Sequence, residues 1–280
     1  MSSLINGVAS DQLTVSDRAI HYGDGLFETI AIRDGRLEFW SRHLQRLQWG
    51  CERLGLLMPD SALLLSEARN LITSDDGVLK IIISRGTGGR GYRPPTQQES
   101  QPTRILVSYP WPDHTAANSQ QGIVVRYCTT LATLNPALAG IKHLNRLEQV
   151  LARAEWSDPA IAEGVMSDMV GQVIEGTMSN LFFIRDGTLH SPDLSNSGVA
   201  GIIREVIFEL ADLLNIPVQC QYYSRDDLER ADEVFVTNSI IGLWPVRQLG
   251  QQCYEVGRVT QQLLNALHGK RQQKGEYEIV

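Results

Sequence analysis

The sequence predicts an α+β fold of two domains, and three features of its pattern support this. Segments with the two-residue period of strands are interspersed with segments of helical period, turn pairs indicate hairpins as well as crossovers, and one polar stretch lacks any periodicity. That stretch, residues 113–121, is predicted to be a linker. It would separate a smaller N-terminal domain, residues 1–112, from a larger C-terminal domain, residues 122–280.

In the first domain, the turn pair Asp34-Gly35 predicts a hairpin between strands at Leu26–Arg33 and Arg36–Trp40. The other elements follow from capping residues, helical spacing and β-branched runs. They are a helix from Ser41 to Leu54 capped by Ser41, a helix at Asp60–Thr73 capped by Asp60, and strands at Val78–Ser84 and Thr103–Tyr109.

The second domain is predicted to mix short strands with amphipathic helices, so it also combines hairpins and crossovers. One strand turns at Asp186-Gly187. Its predicted strands are Ile123–Cys128, Gly164–Ser167, Val173–Glu175, Leu181–Arg185, Val218–Tyr222, Glu233–Thr237 and Ile241–Val246. Its predicted helices are Leu144–Glu155, Gly201–Leu214, Arg225–Arg230 and Gly257–His268. Disorder is expected only in the polar tail Gly269–Val280.

Composition excludes several classes of function. A net charge of −7 argues against nucleic acid as the main partner, because phosphate binding needs a basic surface. No apolar run reaches the length of a membrane span, and Met1–Ser10 lacks the pattern of a signal peptide, so a cytoplasmic protein is predicted. The six histidines are dispersed, which gives no support to a metal site. Scattered cysteines without a CxxC pair indicate buried thiols in a reducing compartment: Cys51, Cys128, Cys220 and Cys253.

A glycine-rich loop follows the strand that ends at Ser84. Gly86, Gly88 and Gly91 spell GxGxxG, but a dinucleotide site requires a helix to begin there, and Pro94-Pro95 opposes one. The nucleotide interpretation is therefore rejected. The loop also carries three arginines, and either a solvated surface loop or a substrate-facing one fits this pattern: Arg85, Arg90 and Arg93.

Two single residues have ionisable side chains that could take part in a reaction. Lys142, in AGIKHLNRLEQV, stands just before a predicted helix, where a lysine is usually a solvated charge. Glu175, in VIEGTMSNLFF, lies inside an apolar strand, where a carboxylate needs a partner.

Taken together, these segments resemble the fold-type IV enzymes that use pyridoxal 5′-phosphate (PLP). This family contains branched-chain aminotransferases, D-amino-acid aminotransferases and 4-amino-4-deoxychorismate lyases. The similarity extends from Ser16–Ile30 to Asp232–Val246, and within the family Ala139–Leu151 and Ser84–Tyr92 most resemble the lyases. The resemblance implies a two-domain enzyme with the cofactor at the domain interface, acting as a homodimer.

The resemblance also implies roles for individual residues. Lys142 would hold PLP as a Schiff base and then move protons, while Glu175 would keep the pyridine nitrogen protonated. The cofactor phosphate would be bound by a guanidinium, by backbone N–H groups at a helix start and by donors after a strand. These groups are Arg46, then Gly201, Ile202 and Ile203, then Asn238 and Ser239.

For the lyases, the implied reaction converts 4-amino-4-deoxychorismate to 4-aminobenzoate and pyruvate through an external aldimine, with Lys142 as acid–base catalyst and Thr29 assisting the leaving group. The implied groups for the dicarboxylate substrate are Arg90, Tyr92, Arg104 and Tyr109. Two alternatives stay open: an aminotransferase for D- or branched-chain amino acids with the same cofactor site, and a binding module that kept the fold without the chemistry.

Overall fold

The computed structural model describes residues 2–96, 99–113 and 117–279, and it has the mixed helices and strands of the predicted α+β class. The helices are α1 Arg18–Tyr22, α2 Trp40–Leu54, α3 Ser61–Leu71, α4 Ala117–Gln121, α5 Leu147–Arg153, α6 Ile202–Leu213, α7 Arg225–Glu229 and α8 Arg258–Arg271. The strands are β1 Ser2–Ile5, β2 Val8–Ala9, β3 Gly25–Arg33, β4 Arg36–Glu38, β5 Gly77–Ser84, β6 Thr103–Tyr109, β7 Ile123–Tyr127, β8 Ile161–Ser167, β9 Gln172–Gly176, β10 Asn180–Arg185, β11 Thr188–Pro192, β12 Val218–Gln221, β13 Tyr223–Ser224, β14 Glu233–Asn238, β15 Gly242–Leu249, β16 Gln252–Cys253 and β17 Tyr277–Ile279.

The chain divides into two compact units, which we call unit 1 and unit 2. Unit 1 comprises Met1–Pro112, Ile141–Asn145 and Arg271–Val280. Unit 2 comprises Asp113–Gly140 and Arg146–Lys270.

Two of these segments lie outside the domain boundaries that the sequence suggested. Ile141–Asn145 and Arg271–Val280 cluster with unit 1, because each adds backbone pairing to its sheet. The tail that was expected to be disordered forms β17, which pairs with β4. The predicted linker contains the short helix α4, and its residues 114–116 lie outside the described part of the chain.

Unit 1 is built on an antiparallel sheet with the strand order β17-β4-β3-β5-β6-β1-β2. The predicted hairpin between β3 and β4 is confirmed, with Asp34 and Gly35 at φ 50° and 66°, as a two-residue hairpin turn requires. One face of the sheet is covered by α2 and α3. On β3 that face carries Leu26, Glu28 and Ile30, while Phe27 and Thr29 point to the other face.

The two helices of unit 1 begin in different ways. Asp60 caps α3 as predicted, and its carboxylate accepts a hydrogen bond of 2.9 Å from the Leu63 N–H. The prediction that Ser41 caps α2 is wrong. The helix begins one residue earlier, at Trp40, after Phe39 in the left-handed region, and no side chain caps it.

Unit 2 is built on a mixed sheet with the strand order β12-β11-β10-β14-β15-β7-β8-β9-β13, and β16 extends β15. The pairs β11–β12, β15–β7 and β7–β8 are parallel, and the other strand pairs are antiparallel. Strand β9 also contacts β10 and β11, so the sheet curls toward closure. The predicted turn at Asp186-Gly187 is confirmed, since both residues have positive φ.

Aromatic side chains from β10, β14 and α6 form part of the core of unit 2. The rings of Phe182 and Phe235 are both buried and stack with centroids 4.8 Å apart. Phe208 of α6 meets Phe182 edge-on at 5.6 Å. These contacts fix α6 on the sheet, and the first turn of α6 is where the cofactor phosphate was predicted to bind.

The structure bears on three predictions that were made from composition. All four cysteines are unpaired, but only Cys51 and Cys128 are buried, whereas Cys220 and Cys253 are exposed. Within the described ranges, every helix is too short or too polar to cross a lipid bilayer. No group of three or more His, Cys, Asp or Glu residues in those ranges is arranged to hold a metal ion.

The aromatic stack gives a first testable prediction. Replacing Phe235 by Ala leaves a cavity beneath α6, and we expect the free energy of unfolding to fall by about 3–5 kcal/mol in chemical denaturation. Leu213→Ala is the control, because Leu213 is 71% exposed and its truncation should cost less than about 0.5 kcal/mol. Equal effects of the two substitutions would show that the stack does not stabilise unit 2.

Candidate active site

Lys142 lies in an extended segment rather than at the start of a helix. The Phe27 N–H donates to the Lys142 carbonyl at 2.9 Å, and the Leu144 N–H donates to the Gly25 carbonyl at 3.0 Å. The segment therefore continues the unit 1 sheet beside the first residues of β3. The predicted helix start at Leu144 is wrong, because this pairing uses the backbone there and α5 begins only at Leu147.

Gly25 begins β3 at the point where its backbone also accepts the Leu144 N–H. A Cβ atom at Gly25 would collide with the Ile83 carbonyl oxygen of the neighbouring strand β5. That backbone contact is too short for any side chain larger than hydrogen. Glycine therefore allows β3 and β5 to pair closely next to the Lys142 segment.

The Lys142 ammonium lies 4.5 Å from the centroid of the Phe27 ring. This contact directs the side chain toward the face of β3 that α2 and α3 do not cover. Thr29 lies on the same face two residues further along and is half-buried. The structure therefore brings the predicted catalytic residues Lys142 and Thr29 to one face of unit 1.

The opposite face of β3 carries a buried cluster of charged side chains. One of them is Arg46, which the resemblance assigned to the cofactor phosphate. Glu28 accepts hydrogen bonds from Arg46 Nε at 2.8 Å and Nη2 at 2.5 Å, and from His43 Nδ1 at 2.6 Å. The fork of Arg46 that was predicted to bind phosphate is thus bonded to a carboxylate of its own unit. A phosphate contact by Arg46 would have to use the other edge of the guanidinium.

The protonation of this cluster follows from its burial and charges. Burial alone would raise the pKa of Glu28, but the charge of Arg46 and the hydrogen bond from His43 outweigh it and lower the pKa to about 2. Burial lowers the pKa of His43, Glu28 opposes that effect, and the charges of Arg46 and Lys142 add to the lowering. Glu28 is therefore a carboxylate at neutral pH, and His43 Nδ1 carries the proton that it donates.

In unit 2, Glu175 is buried on β9 and is held by its neighbours. Its Oε2 accepts from the Val199 N–H at 2.9 Å and from Asn180 Nδ2 at 3.3 Å, and Asn180 Nδ2 also donates to the Val199 carbonyl at 2.8 Å. Gly198 has φ +80°, and a Cβ atom there would lie 3.2 Å from Oε2. The carboxylate is thus fixed between β10 and the loop that leads into α6.

The first turn of α6 has the form of an anion site. Gly201 is the N-cap residue, no side chain caps the helix, and a Cβ atom at Gly201 would collide with Oδ1 of Asn180. The first N–H groups of a helix have no intrahelical acceptor, so those of Ile202 and Ile203 suit a phosphate. Their side chains are buried in the core, which leaves the backbone as the binding group.

Asn238 ends β14 and Ser239 follows it, and Thr237 of the same strand is paired with Asn180. The Asn238 side chain accepts from the Ile240 and Ile241 N–H groups, both at 2.9 Å, and donates to the Met178 carbonyl at 3.0 Å. Asn238 therefore shapes the turn between β14 and β15. In unit 2, Glu175, the start of α6 and this turn therefore all lie beside Asn180 or its neighbours in the chain.

The glycine-rich loop is held to unit 1 by a buried arginine that was not singled out. Arg18 donates to the carbonyls of Gly91 and Tyr92 at 3.1 and 3.3 Å, and to Asp24 at 2.8 Å. Arg85 is also buried, with a two-point contact to Asp24, so it is a structural residue rather than part of a cationic surface. No helix begins after Gly91 in the described part of the loop, which excludes Gln97 and Gln98.

The four predicted substrate groups are not brought together. Arg90 and Tyr92 are exposed on the loop. Tyr109 ends β6 on the same sheet face as Thr29. Arg104 lies on the opposite face, where its guanidinium bonds Glu67 of α3 at 2.7 Å. Because its charge is neutralised there, Arg104 is a structural residue and the substrate role predicted for it is withdrawn.

Sequence reasoning missed two residues, Phe27 and Lys80, on the same sheet face as Thr29. Phe27 contacts the Lys142 ammonium, and Lys80 of β5 lies 5.0 Å from the centroid of the same ring. A signal for Lys80 was present, because a charged residue interrupts the apolar run VLKIIIS just as Glu175 interrupts its own strand.

Comparison with known proteins agrees with the fold and with these segments. Residues 25–249 match the family model described as amino-transferase class IV. Aminodeoxychorismate lyase of Vibrio harveyi is 35% identical over 269 residues, which cover 94% of this chain and 98% of the relative. The branched-chain-amino-acid aminotransferase of Escherichia coli K12 is 32% identical over 271 residues, 91% of this chain and 86% of the relative.

Among solved structures, 4-amino-4-deoxychorismate lyase from Pseudomonas aeruginosa superposes with a TM-score of 0.90 at 45% identity, covering 95% of this chain and 98% of that one. The E. coli branched-chain aminotransferase superposes with a TM-score of 0.85 at 27% identity, covering 99% and 98%. The predicted fold-type IV class is confirmed by these likenesses. With a family match over most of its length and relatives above 30% identity, the chain belongs to the amino-transferase class IV family.

Proposed function

We propose that this protein is a PLP-dependent 4-amino-4-deoxychorismate lyase that forms 4-aminobenzoate and pyruvate. The observation that carries the proposal is the fixed position of Lys142, paired by backbone to β3 with its ammonium against Phe27. The choice of lyase is supported by the two lyase relatives, which at 35% and 45% identity exceed the E. coli aminotransferase at 32%.

The residues present fit PLP. Such a cofactor needs a lysine, a carboxylate for its pyridine nitrogen and backbone donors for its phosphate. Lys142 would supply the amine, Glu175 is a buried carboxylate fixed by two N–H donors, and the glycine-capped start of α6 offers the N–H groups of Ile202 and Ile203. Further phosphate contacts are proposed for Ser239, Asn238 and Arg46.

When bound, PLP would supply an electron sink for the negative charge that develops on the carbon bearing the substrate's nitrogen. Lys142 Nζ would take the proton from that carbon, and Glu175 would keep the proton on the cofactor's ring nitrogen. The Thr29 hydroxyl, on the same face as Lys142, would donate to the departing enolpyruvyl oxygen. Because the product ring is aromatic, the chain's main tasks are to orient the substrate and move protons.

The alternative function is amino-group transfer to a keto acid, which the aminotransferase relatives favour. Both functions would use the same cofactor residues. They differ in whether a keto acid is required, and this difference separates them in solution.

The first test removes the lysine. Purified wild-type protein with PLP should show a near-visible absorbance band and should form 4-aminobenzoate and pyruvate in equal amounts without a keto acid. Lys142→Ala should lose the Schiff-base band and all turnover. The control is Lys274→Ala, an exposed lysine of the C-terminal segment. Turnover by Lys142→Ala would contradict the mechanism, and transfer to a keto acid by the wild type would favour the aminotransferase.

A second test concerns the buried carboxylate. Glu175→Gln keeps the shape of the side chain and its acceptor oxygen but removes the charge, so PLP should still bind while kcat falls roughly a hundredfold. The exposed Glu255→Gln is the matched control. Unchanged kcat together with an unchanged absorbance spectrum would argue that Glu175 does not face the cofactor ring.

A homodimer and a cytoplasmic location are also part of the proposal. The unpaired cysteines support a reducing compartment. The apolar face of α5 is left open to solvent, with Leu147, Val150 and Leu151 exposed by 75%, 60% and 60%. Such a cluster on one helix suits a contact with a second copy of the chain.

The dimer contact is tested by introducing a negative charge into this apolar face. We expect wild-type protein to have the mass of a dimer by light scattering, and Leu151→Glu to shift toward monomer because a buried unpaired carboxylate is costly. Leu213→Glu, at an exposed position of α6, should leave the mass unchanged. A wild-type monomer, or a variant at Leu151 that dimerises normally, would refute the contact.

A further inference from the structure

Lys80 is a half-buried cation in the middle of an apolar strand. Its neighbours Leu79 and Ile81 are fully buried, and its ammonium lies 5.0 Å from the centroid of the Phe27 ring. Burial lowers the pKa of the Lys80 ammonium, and no anion offsets this effect. Among the residues that the structure describes, no carboxylate lies within ion-pair distance of Lys80.

Other charged residues in or next to the core of unit 1 are paired with a residue of opposite charge. Arg46 is bonded to Glu28, Arg85 to Asp24, and Arg104 to Glu67. Each of these guanidiniums has a carboxylate that neutralises it where water is scarce. Lys80 has only the face of an aromatic ring, which is a weak substitute for an anion.

The position of Lys80 relates it directly to Lys142. Both ammonium groups lie beside the ring of Phe27, so they cannot be further apart than the sum of their two distances to its centroid. Thr29 is the direct cross-strand neighbour of Lys80 on β3, and the two side chains share the sheet face that α2 and α3 leave uncovered. A small molecule whose amine is at Lys142 can therefore extend toward Lys80.

We propose that Lys80 is a specificity-determining residue that binds a substrate carboxylate lying across a six-membered ring from the reacting amine. The inference rests on the proposed function for the identity of that substrate. In an α-amino acid the amine and the carboxylate are attached to the same carbon. A ring with the amine and carboxylate at opposite ends separates them, so Lys80 would favour the lyase substrate over aminotransferase substrates.

The experiment compares two ligands that differ in one charge. Dissociation constants of 4-aminobenzoate and of its uncharged amide, 4-aminobenzamide, are measured by calorimetry on PLP-loaded protein. Wild type should prefer the acid roughly tenfold to a hundredfold, as expected for a charge-assisted contact. Lys80→Met should lose the preference and Lys80→Arg should keep most of it. Lys274→Met, which removes an exposed positive charge, should behave as wild type.

Two results would overturn the carboxylate contact. One is a preference for the acid over the amide that is retained in Lys80→Met, and the other is the absence of that preference from the wild type. The near-visible band of bound PLP verifies that a variant is folded, and Lys80→Gln replaces Lys80→Met if the latter does not load cofactor. Pyruvate release from 4-amino-4-deoxychorismate is assayed in parallel. No release, combined with a preference that depends on Lys80, rejects the proposed lyase function and leaves the carboxylate contact supported.

Discussion

The pairing of Ile141–Asn145 with the start of β3 is the constraint on which the candidate site depends. Two backbone hydrogen bonds hold the segment, and they do so at the lysine itself, whose carbonyl accepts from Phe27. A lysine on a free loop would have many orientations, and fixing it would cost rotamer and backbone entropy at each turnover. Here the strand pairing fixes the lysine when the protein folds. The ammonium is therefore held against Phe27 before any ligand binds.

The distribution of charge in unit 1 separates structural residues from functional ones. Arginines that pack against helices or anchor loops are matched to carboxylates: Arg18 and Arg85 to Asp24, Arg46 to Glu28, and Arg104 to Glu67. All of these pairs are satisfied within the unit, and they stabilise its fold. The Lys80 ammonium instead lies beside the ring of Phe27, which the Lys142 ammonium also contacts. The contrast between Lys80 and the paired arginines identifies the sheet face that α2 and α3 leave uncovered as the one suited to an anionic ligand.

In unit 2, turns fix the positions of Glu175 and of the start of α6 before any ligand binds. Glu163 accepts from the Thr177 N–H at 3.0 Å and from Ser179 Oγ at 2.7 Å, which fixes the turn between β9 and β10. That turn places Asn180, which in turn holds Glu175 and the loop before Gly201. The carboxylate and the helix start are thus supported by the same few residues.

Local pattern was enough to predict the α+β class, most strands, the two hairpin turns and the Asp60 cap, because these depend on periodicity and turn chemistry over a few residues. The sequence also pointed to Lys142 and Glu175 through the motifs around them. It did not reveal that Lys142 pairs with β3, that Arg104 is neutralised by Glu67, or that Lys80 meets the ring of Phe27. Those residues are far apart along the chain, and only the order and register of the strands bring them together. Periodicity shows which residues share a face of a strand, but what covers that face is decided by the tertiary structure.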